Sequence, residues 1–300
     1  MKGLSAILLL GLATLTAAAQ KDNNTLLWKI SGNGIEKPSY LFGTIHMLCK
    51  EDAFLSENLV KAIKNADRVY LELDMDNLFE LLGIITKMKM KNDTTLADLL
   101  TPEEYEITKT YFEKNGSMLP FSTLETYKPL VASSMLMEAS MVCDEQVAME
   151  QLIMEEAKKY GKRIDGLETM AYQMSVFDSI PYKVQAKELY KGIAGAGKGE
   201  NEAEQEFKKM MKAYKEQNLE KLGEMISKND EGMMQYEDIL LYNRNRNWVE
   251  KLKTLLKEKV LLVAVGAGHL PGEKGVIELL RKEGYKVTPV ENKVGGVREI

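Results

Sequence analysis

Histidine is scarce in this 300-residue chain: there are two, and any chemistry that needs an imidazole must use one or both. Cysteine is equally scarce, at two, which excludes a four-thiolate zinc site and a multi-bridge disulfide framework. Proline (7) and glycine (22) are not enriched, so collagen-like and low-complexity classes fall away. No excess of basic charge exists either. Forty Lys plus Arg stand against 45 Asp plus Glu, a formal charge of −5, which argues against nucleic acid as a partner. Beyond the first twenty positions no uninterrupted apolar run reaches the ~18 residues of a spanning helix. What is present is 45% hydrophobic residues, enough for a substantial core.

Residues 1–19 read as an export signal. Lys2 gives a positive start, Leu4 to Leu15 an apolar stretch, and Ala17-Ala18-Ala19 a small-residue cleavage site before Gln20. The expected location is periplasmic or secreted, with no transmembrane segment in the mature chain. An oxidising compartment permits a bond between Cys49 and Cys143; two small buried thiols are the alternative.

Periodicity places strands mainly towards the two ends. Leu26–Ile30 and Ser39–Gly43 flank the turn-rich Ser31-Gly32-Asn33-Gly34. Ser56 caps a helix to about Asn65. Arg68 to Asp74 alternates, with Val69, Leu71 and Leu73 on one face and Tyr70, Glu72 and Asp74 on the polar one. Lys162–Leu167, Val260–Val265 and Tyr285–Pro289 complete the strands, the second apolar throughout as a strand buried on both faces would be. Between them the pattern is mostly helical, over about 78–160 and 171–258, and Thr101-Pro102-Glu103-Glu104 reads as a capping box. The reading is α/β (or α+β): a central mixed β-sheet built from both ends of the chain, with a helical middle subdomain packed over it.

Both histidines occupy the same frame. Gly43-Thr44-Ile45-His46 and Gly266-Ala267-Gly268-His269 are each Gly-x-x-His at the carboxyl end of an expected strand. With 22 glycines in 300 positions, coincidence gives this in roughly 0.5% of such chains, which favours a shared role. Glycine lets the backbone turn or approach a neighbour closely, and the imidazole three residues on sits where open α/β sheets bind ligands. Glu72 and Glu168 also fall at strand ends. If those strands are parallel neighbours, His46, Glu72, Glu168 and His269 converge on one crevice. Two imidazoles and a carboxylate form a recognised divalent-metal set, and a second carboxylate can act as general base or orient a ligand. Arg244 and Trp248 are four apart on one helix face, so a guanidinium can reach a substrate carboxylate or a developing oxyanion.

Other signals are weaker. Gly192-Ile193-Ala194-Gly195-Ala196-Gly197-Lys198-Gly199 imitates a phosphate loop, but position 199 is Gly where Ser or Thr must bind magnesium. It reads as a flexible loop. No Gly-x-Ser-x-Gly elbow exists, and no local motif supports either cysteine as a nucleophile.

Five ordered blocks together resemble the TraB/GumN family. They are Leu41-Phe42-Gly43-Thr44-Ile45-His46, Tyr70-Leu71-Glu72-Leu73-Asp74, Gly166-Leu167-Glu168-Thr169, Arg244-Asn245-Arg246-Asn247-Trp248 and Val265-Gly266-Ala267-Gly268-His269-Leu270. The resemblance spans about Leu27 to Val290 and implies one domain over 20–300. The family includes the Tiki proteins, metal-dependent peptidases that clip Wnt proteins. By resemblance, His46 and His269 bind the metal, Glu72 is the associated glutamate, and Asp144 falls where many members carry an Asp. The expectation is an exported metal-dependent hydrolase acting on a peptide or protein substrate. His46, His269 and Glu72 would hold a divalent ion (Mn, Co or Zn), Glu168 would act as general base and Arg244 would steady the oxyanion; the two glutamates can exchange roles. Two alternatives remain open: a protein that binds and sequesters a peptide without cleaving it, and a metal-independent His/Glu hydrolase.

Overall fold

The computed structural model describes residues 24–77, 83, 86–115, 119–139, 141, 143–196, 202–227 and 235–293. The expected export signal lies outside the described residues.

Strands β1 (Leu27–Ser31), β2 (Ser39–Thr44), β4 (Arg68–Leu71), β6 (Arg163–Gly166), β7 (Leu261–Gly266) and β8 (Lys286–Val290) form one mixed sheet in the order β6-β4-β7-β2-β1-β8. β6, β4, β7 and β2 run parallel, while β1 pairs antiparallel with both β2 and β8. β7 comes late in the chain yet lies between β4 and β2, and its Leu261, Leu262, Val263, Ala264 and Val265 are all buried. This is the apolar run of a strand covered on both faces.

A short ladder outside the main sheet joins β3 (Leu48–Cys49) to β5 (Gln146–Val147), and Cys49 and Cys143 form a disulfide beside it. Of the two states open to these cysteines, the structure has the bonded one.

Helices cover the sheet. Glu57–Asn65 begins at Ser56, whose hydroxyl accepts the Leu59 N–H at 3.1 Å. Met149–Lys159 feeds β6, and Asn243–Glu258 feeds β7. The latter buries Arg244, Asn245, Trp248, Val249, Leu252 and Leu256, a stripe at helical spacing. A helix that feeds a parallel strand runs back antiparallel to it, so its first turn lies beside that strand's carboxyl end. The helical middle has a core of its own, including Leu96, Phe112, Phe121, Leu124, Ala132, Ala186 and Leu189. Its first long helix, Pro102–Asn115, starts with the expected capping box: Thr101 N–H donates to Glu104 Oε2 at 2.8 Å and Glu104 N–H to Thr101 Oγ1 at 3.3 Å.

Two local expectations are corrected. The Gly192–Gly199 stretch is helical through Ala196, and residues 197–201 lie outside the described residues. Gly192 is there for packing: a Cβ on it would stand 3.1 Å from Leu136 Cδ2. The alternation at Arg68–Asp74 overstates the strand, which ends at Leu71, and Tyr70 is buried because the sheet is covered on both faces.

Candidate active site

The carboxyl ends of four parallel strands lie along one edge of the sheet. The parallel ladder between β4 and β6 continues past their ends, with Leu167 N–H donating to Leu71 O (2.8 Å) and Glu168 N–H to Glu72 O (3.0 Å). That continuation sets Glu72 and Glu168 side by side. Gly166 permits it: a Cβ there would come within 2.7 Å of Asp74 N and Glu168 O.

The twin Gly-x-x-His segments are neighbours, since β2 pairs with β7 and Gly43 lies opposite Val265, Thr44 opposite Gly266. Neither Gly43 nor Gly266 has a positive φ, so close approach, rather than unusual backbone conformation, is what requires glycine. A Cβ on Gly43 would meet Leu270 Cδ1 at 2.9 Å and Ala267 Cα at 3.2 Å, where the single turn Ala267–His269 packs across β2. A Cβ on Gly266 would meet Glu72 Oε1 at 3.1 Å, and the Gly266 N–H donates to that same oxygen at 2.8 Å.

Arg244 binds the two acids. Its Nη2 donates to Glu72 Oε2 at 2.5 Å and Glu168 Oε1 at 2.7 Å, and its Nε donates to both Glu168 oxygens at 3.1 Å. Nη1 donates to Leu240 O at 3.0 Å and lies 3.2 Å from His269 Nε2. Leu240 belongs to a π-helical turn, Asp238–Tyr242, immediately before the Arg244 helix; such turns recur at functional sites. Trp248, one turn on from Arg244, stacks under the guanidinium (4.8 Å), lies 4.4 Å from the His269 ring and donates its Nε1 to Glu168 Oε2 at 3.0 Å.

The two imidazoles differ. The His269 side chain is 5% exposed, with Nδ1 2.6 Å from Asn245 Oδ1 and Nε2 3.7 Å from Glu72 Oε1. The His46 side chain is 70% exposed and pairs with Glu150 through Nδ1 at 2.9 Å. Its backbone is held by Met149 N–H donating to Ile45 O (3.1 Å), by the β3–β5 ladder and by the disulfide. Asp144 is exposed; of the acids in that segment, Glu150 is the one that meets His46.

Electrostatics follow from these contacts. Burial alone would raise Glu72, but the positive charge of His269 when protonated, Arg244, His46 and the Gly266 N–H hold it at about 2. Burial lowers His269 to about 4, assisted by Arg244 and opposed by Glu72. At neutral pH His269 is therefore uncharged, and Arg244 is the strong cation on Glu72. Glu168 is raised by burial and by the Glu72 charge, against its bonds from Arg244 and Trp248. Glu150 raises His46 to about 9.

Thus Glu72, Glu168, Arg244 and His269 come together in direct contact, and His46 lies within electrostatic range of them. Among the described residues no group of three His, Cys, Asp or Glu side chains stands at metal-ligand spacing. The donor chemistry nevertheless suits a divalent ion: His269 Nε2 and Glu72 Oε1 are an imidazole and a carboxylate facing each other. The Arg244 guanidinium now stands against both. Sequence reasoning missed Glu150 and Asn245. Each lies in the first turn of a helix that feeds a parallel strand, and that position was the available signal.

Fold and site define an α/β protein with a buried acid–arginine–histidine cluster at the carboxyl edge of its parallel strands. The profile of the TraB/PrgY/gumN family matches residues 26–289, and the chain belongs to that family. Similar proteins include Metalloprotease TIKI1 of Danio rerio, 24% identical over 91% of this chain and 64% of the relative. Metalloprotease TIKI2 of Xenopus tropicalis is 24% identical over 90% and 60%, and Metalloprotease TIKI1 of Homo sapiens 22% over 89% and 62%. The chain thus spans a little over three-fifths of these relatives' length. No solved structure matches.

Proposed function

We propose that this chain is an exported hydrolase of the peptidase class, using a divalent ion held by His46, His269 and Glu72. The observation that carries the reading is the meeting of Glu72, Glu168, Arg244 and His269 at one sheet edge with the Gly-x-x-His segments on adjacent strands. Relatives named metalloproteases support the class. A bound ion would supply Lewis acidity at the scissile carbonyl and a more acidic water.

The chain's own groups do the rest. Glu72 Oε1, kept ionised and aimed by the Gly266 N–H, faces Nε2 of His269 at 3.7 Å. Glu168, proposed from its strand-end position as general base, is gripped by Arg244 and Trp248; burial makes it more basic than a free carboxylate, and it can take a proton when Arg244 swings toward an oxyanion. Trp248, buried against the Arg244 guanidinium and the His269 ring, limits water around these groups.

One observation favours a metal-independent variant of the same chemistry. Arg244 already supplies positive charge between the acids and His269, and Glu150 keeps His46 protonated, ready to donate to a leaving amine. Cleavage of a fluorogenic peptide library, with and without chelator, by wild type and by the His46→Ala plus His269→Ala double variant separates the readings. Chelator-sensitive cleavage lost in the double variant is the expected result. Cleavage that survives chelation but needs both histidines selects the metal-independent form. Equal cleavage by both proteins overturns the hydrolase reading at this site.

A further inference from the structure

We infer that Asn245 is a positioning residue that fixes the His269 proton on Nδ1, leaving Nε2 as the bare nitrogen facing Glu72. The Asn245 side chain is fully buried, and its Nδ2 donates to His269 O at 3.3 Å and Lys274 O at 2.9 Å. Both partners are carbonyls and can only accept. A flipped amide would press its oxygen against two carbonyl oxygens, so the orientation is determined: Oδ1 faces the ring.

Oδ1 lies 2.6 Å from His269 Nδ1 and can only accept, so Nδ1 carries the hydrogen. A neutral imidazole has one N–H, and Nε2 is then a lone pair. The far side of the ring is compatible with this answer but does not impose it. Nε2 faces both the Glu72 carboxylate at 3.7 Å, which favours a proton there, and the Arg244 guanidinium, which disfavours one. Arg244 Nη1 has no lone pair to offer, and it stands 3.2 Å from Nε2, where an N–H would oppose it. One amide therefore sets the tautomer, ties the backbone of the residue it orients, and pins Lys274 a few residues on.

The consequence for catalysis rests on the hydrolase reading above; the tautomer does not. Nε2 is the atom that would bind a divalent ion or accept a proton, and a histidine held at its other nitrogen by an oxygen acceptor is the better ligand, with loss of the holder costing roughly 10–100-fold in affinity.

Because the chain has only two histidines, the test is direct. Untagged protein labelled with ¹⁵N-histidine gives two ring systems in a long-range ¹H–¹⁵N correlation, assigned with His46→Gln. Metal-free wild type at neutral pH is expected to show His269 with a protonated Nδ1 and a bare Nε2. Asn245→Leu should lose that pattern. Calorimetry with Zn²⁺ alone should show Asn245→Leu binding 10–100-fold more weakly than wild type. If the ring behaves as expected but Zn²⁺ binds neither protein, the positioning role stands and the metal reading falls. A wild-type His269 protonated on Nε2 overturns the inference without any variant. So does an Asn245→Leu protein that folds and keeps its proton on Nδ1.

Discussion

Replacing Arg244 by methionine should be among the most damaging single changes available at the site. The guanidinium is buried and satisfies two buried carboxylates that lie side by side. Methionine fills most of its volume but leaves Glu72 and Glu168 facing each other without a counter-charge. Breaking a buried ionic cluster by removing one partner costs about 3–5 kcal/mol. The pH dependence makes the reasoning specific. In wild type, Glu72 is held at about 2, below its ordinary 4.5, so its contribution is complete above 4.5 and is lost progressively as pH falls from there through about 2. Without Arg244, Glu168, already raised by burial and by the Glu72 charge, rises further, and Glu72 rises from about 2. A raised carboxylate penalises the fold as pH climbs from 4.5 through the folded value, the reverse of wild type. Urea unfolding of Arg244→Met at pH 5 and pH 7.5 should therefore show the larger deficit at pH 7.5. The same variant should bind Zn²⁺ more tightly if metal and guanidinium compete for Glu72 and His269. A deficit under about 1 kcal/mol, equal at both pH values, would refute the role given to Arg244.

Three further outcomes are expected. Glu150→Gln should return His46 from about 9 toward 6.5, read from its ring proton in an NMR titration; the pair stabilises fully below 6.5 and its contribution disappears as pH rises through 9, but with 70% of His46 in water it contributes under ~1 kcal/mol. An unchanged titration would remove Glu150 as the cause. His269, lowered to about 4, should make wild type lose stability as pH falls from 6.5 toward 4, by roughly 3 kcal/mol at most, because the unfolded chain takes up the proton first. Thermal melts of His269→Gln should be flatter across that window, and identical slopes would contradict the burial argument. Reducing the Cys49–Cys143 bond, which spans 94 positions, should lower unfolding free energy by up to about 4–5 kcal/mol in urea titrations with and without reductant, and no change would mean the unfolded chain does not use that freedom.

Much of this arrangement is legible in the sequence for one reason: parallel strands present their last residues at a common edge. Alternation and apolar runs located β4, β6 and β7 closely enough to put Glu72, Glu168 and His269 at strand ends, and the repeated Gly-x-x-His frame pointed to β2 and β7. What the strands alone could not reveal is their order. Nothing local in Val260–Val265 says that it inserts between β4 and β2, yet that insertion brings the Gly266 N–H to Glu72. Glu150 was passed over for a different reason: an acid in the first turn of a helix is ordinarily explained by the helix dipole, which masks the signal its position carries.

The same topology accounts for the two residues that were missed, Glu150 and Asn245, and for Arg244, which was not. Met149–Lys159 and Asn243–Glu258 each return antiparallel to the strand they feed, so Glu150, Arg244 and Asn245, all in first turns, arrive at the edge where the strands end. Strand ends supply the acids and imidazoles; helix starts supply the groups that orient them. The charges then sum unevenly. With both acids ionised against the guanidinium, Glu72 and Glu168 contribute −2, Arg244 +1 and neutral His269 nothing, which leaves −1 in the cluster, while His46 is paired with Glu150. A buried site with one uncompensated negative charge attracts a further cation, and a divalent ion or the ammonium end of a peptide would each be favoured by the same imbalance.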